Sequence, residues 1–310
     1  MCSQAYIRFL VGGFDKALAR CYNASTCWQR IGRNRLDSCK LDHELGVAMH
    51  LARQAGDMIM EYYHTGVAVD HKNGDEPVTA ADRAADGLIA AALRAEFPDD
   101  GLLTEESEDD LSRLEKDRAW IVDPLDGTTE FITGTGEFAV QIALAIHGQP
   151  VVGVVYQPTN ELLFYAVRGQ GAYRVNDGHA VRLHVSTEGE PAEMCLVASR
   201  SHYSAFVEAA RRALGIRQVN HLGSVGLKVG LVAQGVCDLY LATTVAKEWD
   251  LCAPHALLLE AGGVLTNLCG EPIIYNKADV AECRGLIGSN GLAHTRIVQT
   301  LAPLFDRSER

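Results

Sequence analysis

The stretch WIVDPLDGTTEF, Trp120 to Phe131, sets two aspartates three residues apart at the end of an apolar run, with a proline between them and Gly-Thr-Thr directly after. Two ionised carboxylates about 4 Å apart repel by roughly 4 kcal/mol at an effective dielectric near 20. Asp123 and Asp126 therefore share a proton, splay into water on a solvated turn, or hold something positive. The run AWIV delivers Asp123 straight from a buried strand. Pro124 fixes the backbone, so the Leu125 carbonyl also points in a definite direction.

Two carboxylates and a carbonyl are hard oxygen ligands of the kind Mg²⁺ takes. Gly127-Thr128-Thr129 adds free backbone N–H groups and a hydroxyl, as where a helix or turn begins, and such ends attract phosphate. Acids for a metal beside amides for a phosphate point to metal-assisted phosphoryl chemistry.

Further acids stand where that chemistry needs them. LLTEES supplies Glu105 and Glu106 at the end of another apolar run, KEWD supplies Asp250 before the helical LCAPHALLLEAGG, and PVTAAD places Asp82 at the opening of a helix. Each alone has an ordinary explanation. Thr79 and Asp82 match a T-x-x-D capping box, the glutamates fit a solvated loop, and Asp250 fits the acidic first turn of a helix. The coincidence of all of them is what argues for a site.

The 310 residues suffice for one large domain or two ordinary ones, and 47% hydrophobic with 22% charged composition describes a soluble globular chain. A formal net charge of −12 argues against general affinity for nucleic-acid backbone or anionic lipid. It leaves room for a small anionic ligand, because bound cations invert the local field. Nine scattered cysteines without a CxxC pair or a Cys/His cluster fit a reducing, cytoplasmic compartment. IRFLVGGF, residues 7–14, is too short for a secretory signal. The longest charge-free apolar stretch, residues 138–156, is broken by His147-Gly148-Gln149-Pro150 into two strands and a turn, not a membrane span.

Residues 1–40 read as an N-terminal extension without sustained periodicity. From Leu41, the apolar spacing of Leu45, Ala48, Leu51, Ala55, Met58, Ile59 and Tyr62 predicts a helix, and Ala85, Leu88, Ile89, Ala92 and Leu93 predict a second. Short apolar runs separated by HGQP, QPTN, RGQG and NDG then have the rhythm of an antiparallel meander. The later part alternates strand and helix, which is α/β. The expected architecture is α+β or α/β, with an N-terminal subdomain at 41–185 and a C-terminal α/β subdomain at 186–310.

LLTEES, WIVDPLDGTTEF and EWDLCAPHALLLEAGG, in this order and spacing, resemble the inositol monophosphatase-like superfamily of Mg²⁺-dependent, lithium-sensitive phosphatases, over roughly residues 41–300. Within it the chain is most similar to the 3'(2'),5'-bisphosphate nucleotidases of the CysQ type. Thr129-Glu130-Phe131 stands where inositol phosphatases usually have Thr-Asn-Phe, and ASRSHYS (198–204) and GSVGLK (223–228) resemble segments of that branch.

The resemblance implies an αβαβα sandwich, with an antiparallel sheet in the N-terminal half and a mixed sheet in the C-terminal half. It implies two or three Mg²⁺ held by Glu105, Asp123, Asp126, Asp250 and the Leu125 carbonyl. Glu105, Asp82 and Thr128 would be catalytic, the last two orienting and deprotonating the attacking water, while Gly127 and Thr128 amides grip the scissile phosphate. His202, Ser224, Lys228 and Arg200 would face a second phosphate. The implied substrate is 3'-phosphoadenosine 5'-phosphate, hydrolysed to AMP and phosphate in sulfur metabolism, by a monomer or homodimer without nucleic-acid or membrane partners.

Some bisphosphate nucleotidases place a further basic residue before the WD motif, where this chain has only Lys247. An inositol monophosphatase or broad sugar-phosphate phosphatase with the same metal site is the near rival. A non-catalytic, metal-dependent nucleotide sensor is a rival of another class.

Overall fold

Alternation along three adjacent strands decides the layering of the computed structural model, which describes residues 41–65, 69–71, 77–282 and 285–308. The extension expected at 1–40 lies outside the described residues. In β4 (Arg118–Asp126), β5 (Ala139–Ile146) and β6 (Gln149–Gln157), Trp120, Val122, Val140, Ile142, Leu144 and Val154 join one apolar cluster. Ile121, Ala139, Ala143, Ala145 and Val155, their neighbours in sequence, join another. Successive side chains leave a strand on opposite faces, so this sheet is buried on both sides.

Seven strands lie in the spatial order β3 (Gly101–Thr104), β4, β5, β6, β7 (Leu162–Val167), β8 (Gly171–Asn176) and β9 (His179–Arg182). All neighbours are antiparallel except β3 and β4. The sheet is thus antiparallel, as expected, apart from one parallel pair at its edge. A long connection carrying a 3-10 turn at Ser112–Glu115 separates β3 from β4, and a crossover of that kind joins parallel strands where a hairpin does not.

One face is covered by α1 (Asp42–Thr65) and α2 (Ala80–Glu96). Ala48, Ala52, Ala55 and Gly56 of α1 and Ala81, Ala85 and Ala90 of α2 are buried, and such small side chains let helices and sheet approach closely. Between these helices β1 (Val69–His71) and β2 (Pro77–Thr79) pair antiparallel.

The other face meets α5 (Val225–Ala233) and α6 (Glu248–Glu260), the short α3 (Thr128–Ile132) and α4 (Ala205–Leu214) preceding them in the chain. Contact between β6 and α6 is so close that a Cβ on Gly153 would lie 2.4 Å from the Ala253 carbonyl oxygen. Leu251 to Leu258 of α6 are all buried, as expected for a helix sandwiched between sheets.

Beyond α5 and α6 lies a second, five-stranded sheet. Its order is β11 (Gln218–Leu222), β10 (Cys195–Ser199), β12 (Leu239–Ala242), β16 (Leu286–Ser289) and β14 (Val264–Asn267). The pairs that include β10 are parallel and those that include β16 antiparallel. The two-residue strands β13 (Ala246–Lys247) and β15 (Ala281–Glu282) pair apart from it. Val207, Ala210 and Leu214 of α4 and Ile297 and Leu301 of α7 (His294–Ser308) pack on the outer face through Leu196, Ala198, Leu239, Leu241 and Ile287. The layers are thus helix, sheet, helix, sheet, helix. Among the described residues no helix is long and apolar enough to cross a membrane.

Two buried histidines couple this packing to pH. His255 Nδ1 lies 2.8 Å from the Tyr275 hydroxyl, and burial pushes its pKa down to about 3. His294 sits between the Thr266 hydroxyl at 2.9 Å and the Ser289 hydroxyl at 2.8 Å, with its pKa lowered by burial to about 4. The unfolded chain, with His near 6.5, binds more protons between those values, so stability is full above pH 6.5 and is lost as pH falls toward 4. Urea unfolding at pH 7 and pH 5 is expected to show His294→Gln losing less stability on acidification than the wild type, by about 2 kcal/mol.

Candidate active site

The centre of the site is a fault in β4. Asp123 pairs with Gln141 across to β5, but Asp126 pairs with Ala139, so β4 holds one residue more than its neighbour. Residues three apart leave a regular strand on opposite faces, and one extra residue restores the parity. Pro124 has no N–H to continue the ladder at this point. Leu125 accordingly packs with Val122 on the α1–α2 side, while Asp123 and Asp126 both turn toward α5 and α6.

Other elements bring further acids to the same place. Parallel pairing sets Thr104 beside Val122, and the Glu105 N–H donates to the Val122 carbonyl at 3.2 Å, which puts Glu105 next to Asp123. Asp250, in the first turn of α6, accepts from the Lys247 N–H at 2.6 Å. Carboxylate oxygens of Asp123, Asp126 and Asp250 lie within 4.8 Å of one another. Asp123 and Asp126 are buried, whereas Glu105, Gly127, Thr128 and Asp250 are partly exposed, so the cluster opens to solvent on one side.

Three donors fix Asp126. Its Oδ2 accepts from Gln141 Nε2 at 2.6 Å, the Ser224 hydroxyl at 2.5 Å and the Gly226 N–H at 2.8 Å. Asp123 Oδ1 accepts from the Leu125 N–H at 3.0 Å. Burial, then the charges of Glu105, Asp126 and Asp250, push the Asp123 carboxyl well above the usual carboxylate range. Burial and Asp126 push Asp250 up to about 8. Burial also raises Asp126, against the pull of Lys228 and of the bonds from Ser224 and Gly226.

These carboxylates cannot all stay ionised together without a neutralising charge. Converging buried oxygens of this type fit a hard divalent cation. The chain therefore carries an acidic cluster that can hold a metal ion.

Asp82 is both cap and partner. Its Oδ2 accepts from the Thr79 N–H at 2.8 Å and hydroxyl at 2.6 Å, closing the capping box at the start of α2. Its Oδ1 accepts from the Thr128 hydroxyl at 3.1 Å, and the Leu125 carbonyl lies 3.3 Å from the same hydroxyl. Thr128 opens α3 directly after Gly127, whose φ of 101° suits glycine.

The residues expected to face a second phosphate are placed differently from one another. Ser224 and Lys228 are buried, at 4% and 3% exposure. Ser224 spends its hydroxyl on Asp126 and on capping α5 through the Leu227 N–H. Lys228 Nζ lies 3.4 Å from the Leu222 carbonyl, and burial lowers its pKa against the pull of Asp126, Glu130, Asp250 and Glu137. Both support the carboxylates from inside instead of standing open to a ligand, because helix α5 runs into the layer between the sheets. Arg200 and His202 are exposed, Arg200 in an ion pair with Glu137 and His202 with its backbone N–H on the Ser199 hydroxyl.

Sequence reasoning missed Gln141, Glu137 and Asp86. Gln141 is a lone amide inside the apolar FAVQIALAI, a signal that was available. Asp86, buried on α2, accepts from the Ser107 hydroxyl at 2.5 Å and so anchors the end of the Glu105–Glu106 segment.

Residues 40–304 match the Inositol monophosphatase family. The chain belongs to this family. It is 40% identical over 228 residues, 73% of this chain and 91% of the relative, to the 3'(2'),5'-bisphosphate nucleotidase CysQ of Escherichia coli strain K12. It is 38% identical over 212 residues, 66% of this chain and 76% of the relative, to a 3'-phosphoadenosine 5'-phosphate phosphatase of Mycobacterium bovis. The crystal structure of CysQ from Bacteroides thetaiotaomicron superposes with a TM-score of 0.68 at 32% identity, covering 80% of this chain and 97% of that one.

Asp123→Asn removes one of the crowded charges. In chelator the variant is expected to melt about 1.5 °C above the wild type, the shift for about 1 kcal/mol in a chain of this size. Added Mg²⁺ should then raise the wild-type midpoint but not the variant's. A variant melting below the wild type in chelator would show that the acids do not repel.

Proposed function

We propose that this chain is a metal-dependent phosphomonoesterase that removes the 3'-phosphate of 3'-phosphoadenosine 5'-phosphate, giving AMP and phosphate. The observation that carries the reading is the convergence of Asp123, Asp126 and Asp250 beside the Asp82–Thr128 hydrogen bond. Its substrate follows the relatives named for bisphosphate nucleotides.

Glu105, Asp123, Asp126, Asp250 and the Leu125 carbonyl would hold two or three Mg²⁺. When bound, these ions supply charge neutralisation on the phosphoryl and leaving oxygens and make water more acidic. The rest falls to the chain. Asp82 Oδ1 takes the Thr128 proton into its hydrogen bond, leaving a lone pair of Thr128 Oγ1 to accept from the attacking water and orient it. Gly127 and Thr128 amides hold the scissile phosphate, and Arg200 and His202, being exposed, meet the phosphate that is not cleaved. Lys228 and Ser224 act from behind, holding Asp126 in charge and direction. In this reading 41–185 carries most metal ligands, and 186–310 brings Asp250 and the second-phosphate contacts.

The enzyme is read as cytoplasmic. The inositol phosphatase reading keeps the same metal site and differs only in what lies beyond the scissile ester. The intact Asp82–Thr128 pair argues against a non-catalytic sensor.

Phosphate release from 3'-phosphoadenosine 5'-phosphate and from inositol 1-phosphate, each with Mg²⁺ and then with added Li⁺, tests the reading. The nucleotide is expected to lead in kcat/KM by about 100-fold, two tenfold steps of transition-state binding. Activity should vanish in chelator and fall with Li⁺. Thr128→Ala is expected to lower kcat by about 10²–10⁴. Preference for inositol 1-phosphate would establish the rival instead.

A further inference from the structure

Two acids that the proposed reaction does not use, Glu130 and Glu137, fasten loops of the later half of the chain to the segment leaving the carboxylate cluster. Glu137 Oε2 accepts from Arg200 Nε at 2.8 Å and its Oε1 from Arg200 Nη2 at 2.6 Å. The same Oε2 accepts from the Gly223 N–H at 2.7 Å. Arg200 Nη2 also donates to the His221 carbonyl at 2.8 Å. Buried Glu130 accepts from the Ser201 hydroxyl and packs so tightly on Gly223 that a Cβ there would lie 2.4 Å from Glu130 Cγ. Gly223 leads directly into Ser224, the residue that bonds Asp126 at 2.5 Å.

A pair this open contributes little stability, since the Arg200 and Glu137 side chains are 47% and 17% exposed. Its effect is geometric. An unrestrained arginine loses rotamer entropy when it is fixed on a ligand. Here the two-pronged contact and the His221 carbonyl fix the guanidinium beforehand. Nε and Nη2 are committed, and Nη1 has no hydrogen bond among the described residues. The uncommitted N–H groups of a planar guanidinium suit a phosphate oxygen.

We infer that Glu137, seconded by Glu130, is a positioning residue for substrate discrimination: it presents Arg200 and the adjoining Ser201–His202 turn to the phosphate that is not cleaved. This rests on the bisphosphate reading above and adds the residue that makes it selective. Glu137 does not touch the substrate; it acts through Arg200 and through the Gly223 backbone.

The test compares 3'-phosphoadenosine 5'-phosphate with adenosine 3'-monophosphate, which offers the same ester and lacks the second phosphate. Both are assayed with Mg²⁺ for wild type, Glu137→Gln, Glu130→Gln, Arg200→Lys and the double variant Glu137→Gln/Arg200→Lys. Glu137→Gln is expected to raise KM for the bisphosphate about 10-fold with kcat changed less than about 3-fold, the signature of lost binding common to ground and transition states. KM for the monophosphate should stay within about 2-fold. Glu130→Gln should act in the same direction and more weakly, because an amide oxygen still accepts from Ser201. The double variant should be no worse than the worse single, since both remove one interaction. Glu137→Asp, keeping the charge, should recover part of the loss.

A KM that rises equally for both substrates would reduce Glu137 to structural support and overturn the inference. A KM that falls for the bisphosphate would make Glu137 a competitor for Arg200, which also overturns it. Unaltered variants beside an active wild type remove this inference alone. A wild type inert toward the bisphosphate removes the reading beneath it as well.

Discussion

A single additional residue in a central strand makes two like charges face the same way, and the rest of the site is arranged around the consequence. Without the bulge at Pro124, Asp126 would point into the α1–α2 layer, with Trp120 and Val122, where an ionised carboxylate has no partner. With it, both acids enter the seam between β4 and the helices α5 and α6. The cost is electrostatic: desolvation raises both carboxyls, and the charges of Glu105, Asp126 and Asp250 raise Asp123 further. The acids sit where a cation can offset that cost.

The compensation is unevenly distributed, and the pattern is informative. Asp126 is the best supported, with three donors on one oxygen and Lys228 nearby, leaving its other oxygen to the cluster. Asp123 has one backbone donor and the charges of three neighbouring acids. Protein dipoles thus satisfy the outer side of the cluster and leave its inner side negative. That division suits a site meant to receive cations, since a donor aimed inward would compete with them. The burial of Lys228 belongs to the same division: a mobile lysine in the opening would neutralise the acids from the wrong side.

Much of this was legible in the residues, for identifiable reasons. The apolar spacing of α1 and α2 reflects one covered face each, so Ala48 to Ile59 and Ala85 to Leu93 announced themselves. Asp123 and Asp126 stood out because acids seldom end apolar runs, and Asp250 because it stands just before a helical run. The parallel entry of β3, the exposed edge strand β9 and the short β13–β15 pair were not legible, because pairing direction is set by the crossover and not by strand composition. Nor was the burial of Ser224 and Lys228. The serine ahead of the mostly apolar VGLKVGLVA and the lysine within it read as outward-facing until the helix is known to lie between two sheets. The Glu137–Arg200 contact joins residues 63 apart, and no local pattern encodes it.

Asp82 ties the fold to the proposed chemistry more tightly than any acid of the cluster. One of its oxygens closes the cap of α2, and the other receives the Thr128 hydroxyl. The cap and the site are therefore a single object: the bonds that begin the helix also aim the carboxylate. A residue without such a cap would need its own restraint against rotation, whereas this one is held at one oxygen by Thr79, which aims the other at Thr128. The T-x-x-D pattern, which alone reads as ordinary helix capping, here supplies the rigidity that the proposed proton acceptor would need. Capping need not compete with the catalytic role proposed for Asp82, because the cap provides the geometry that role would use.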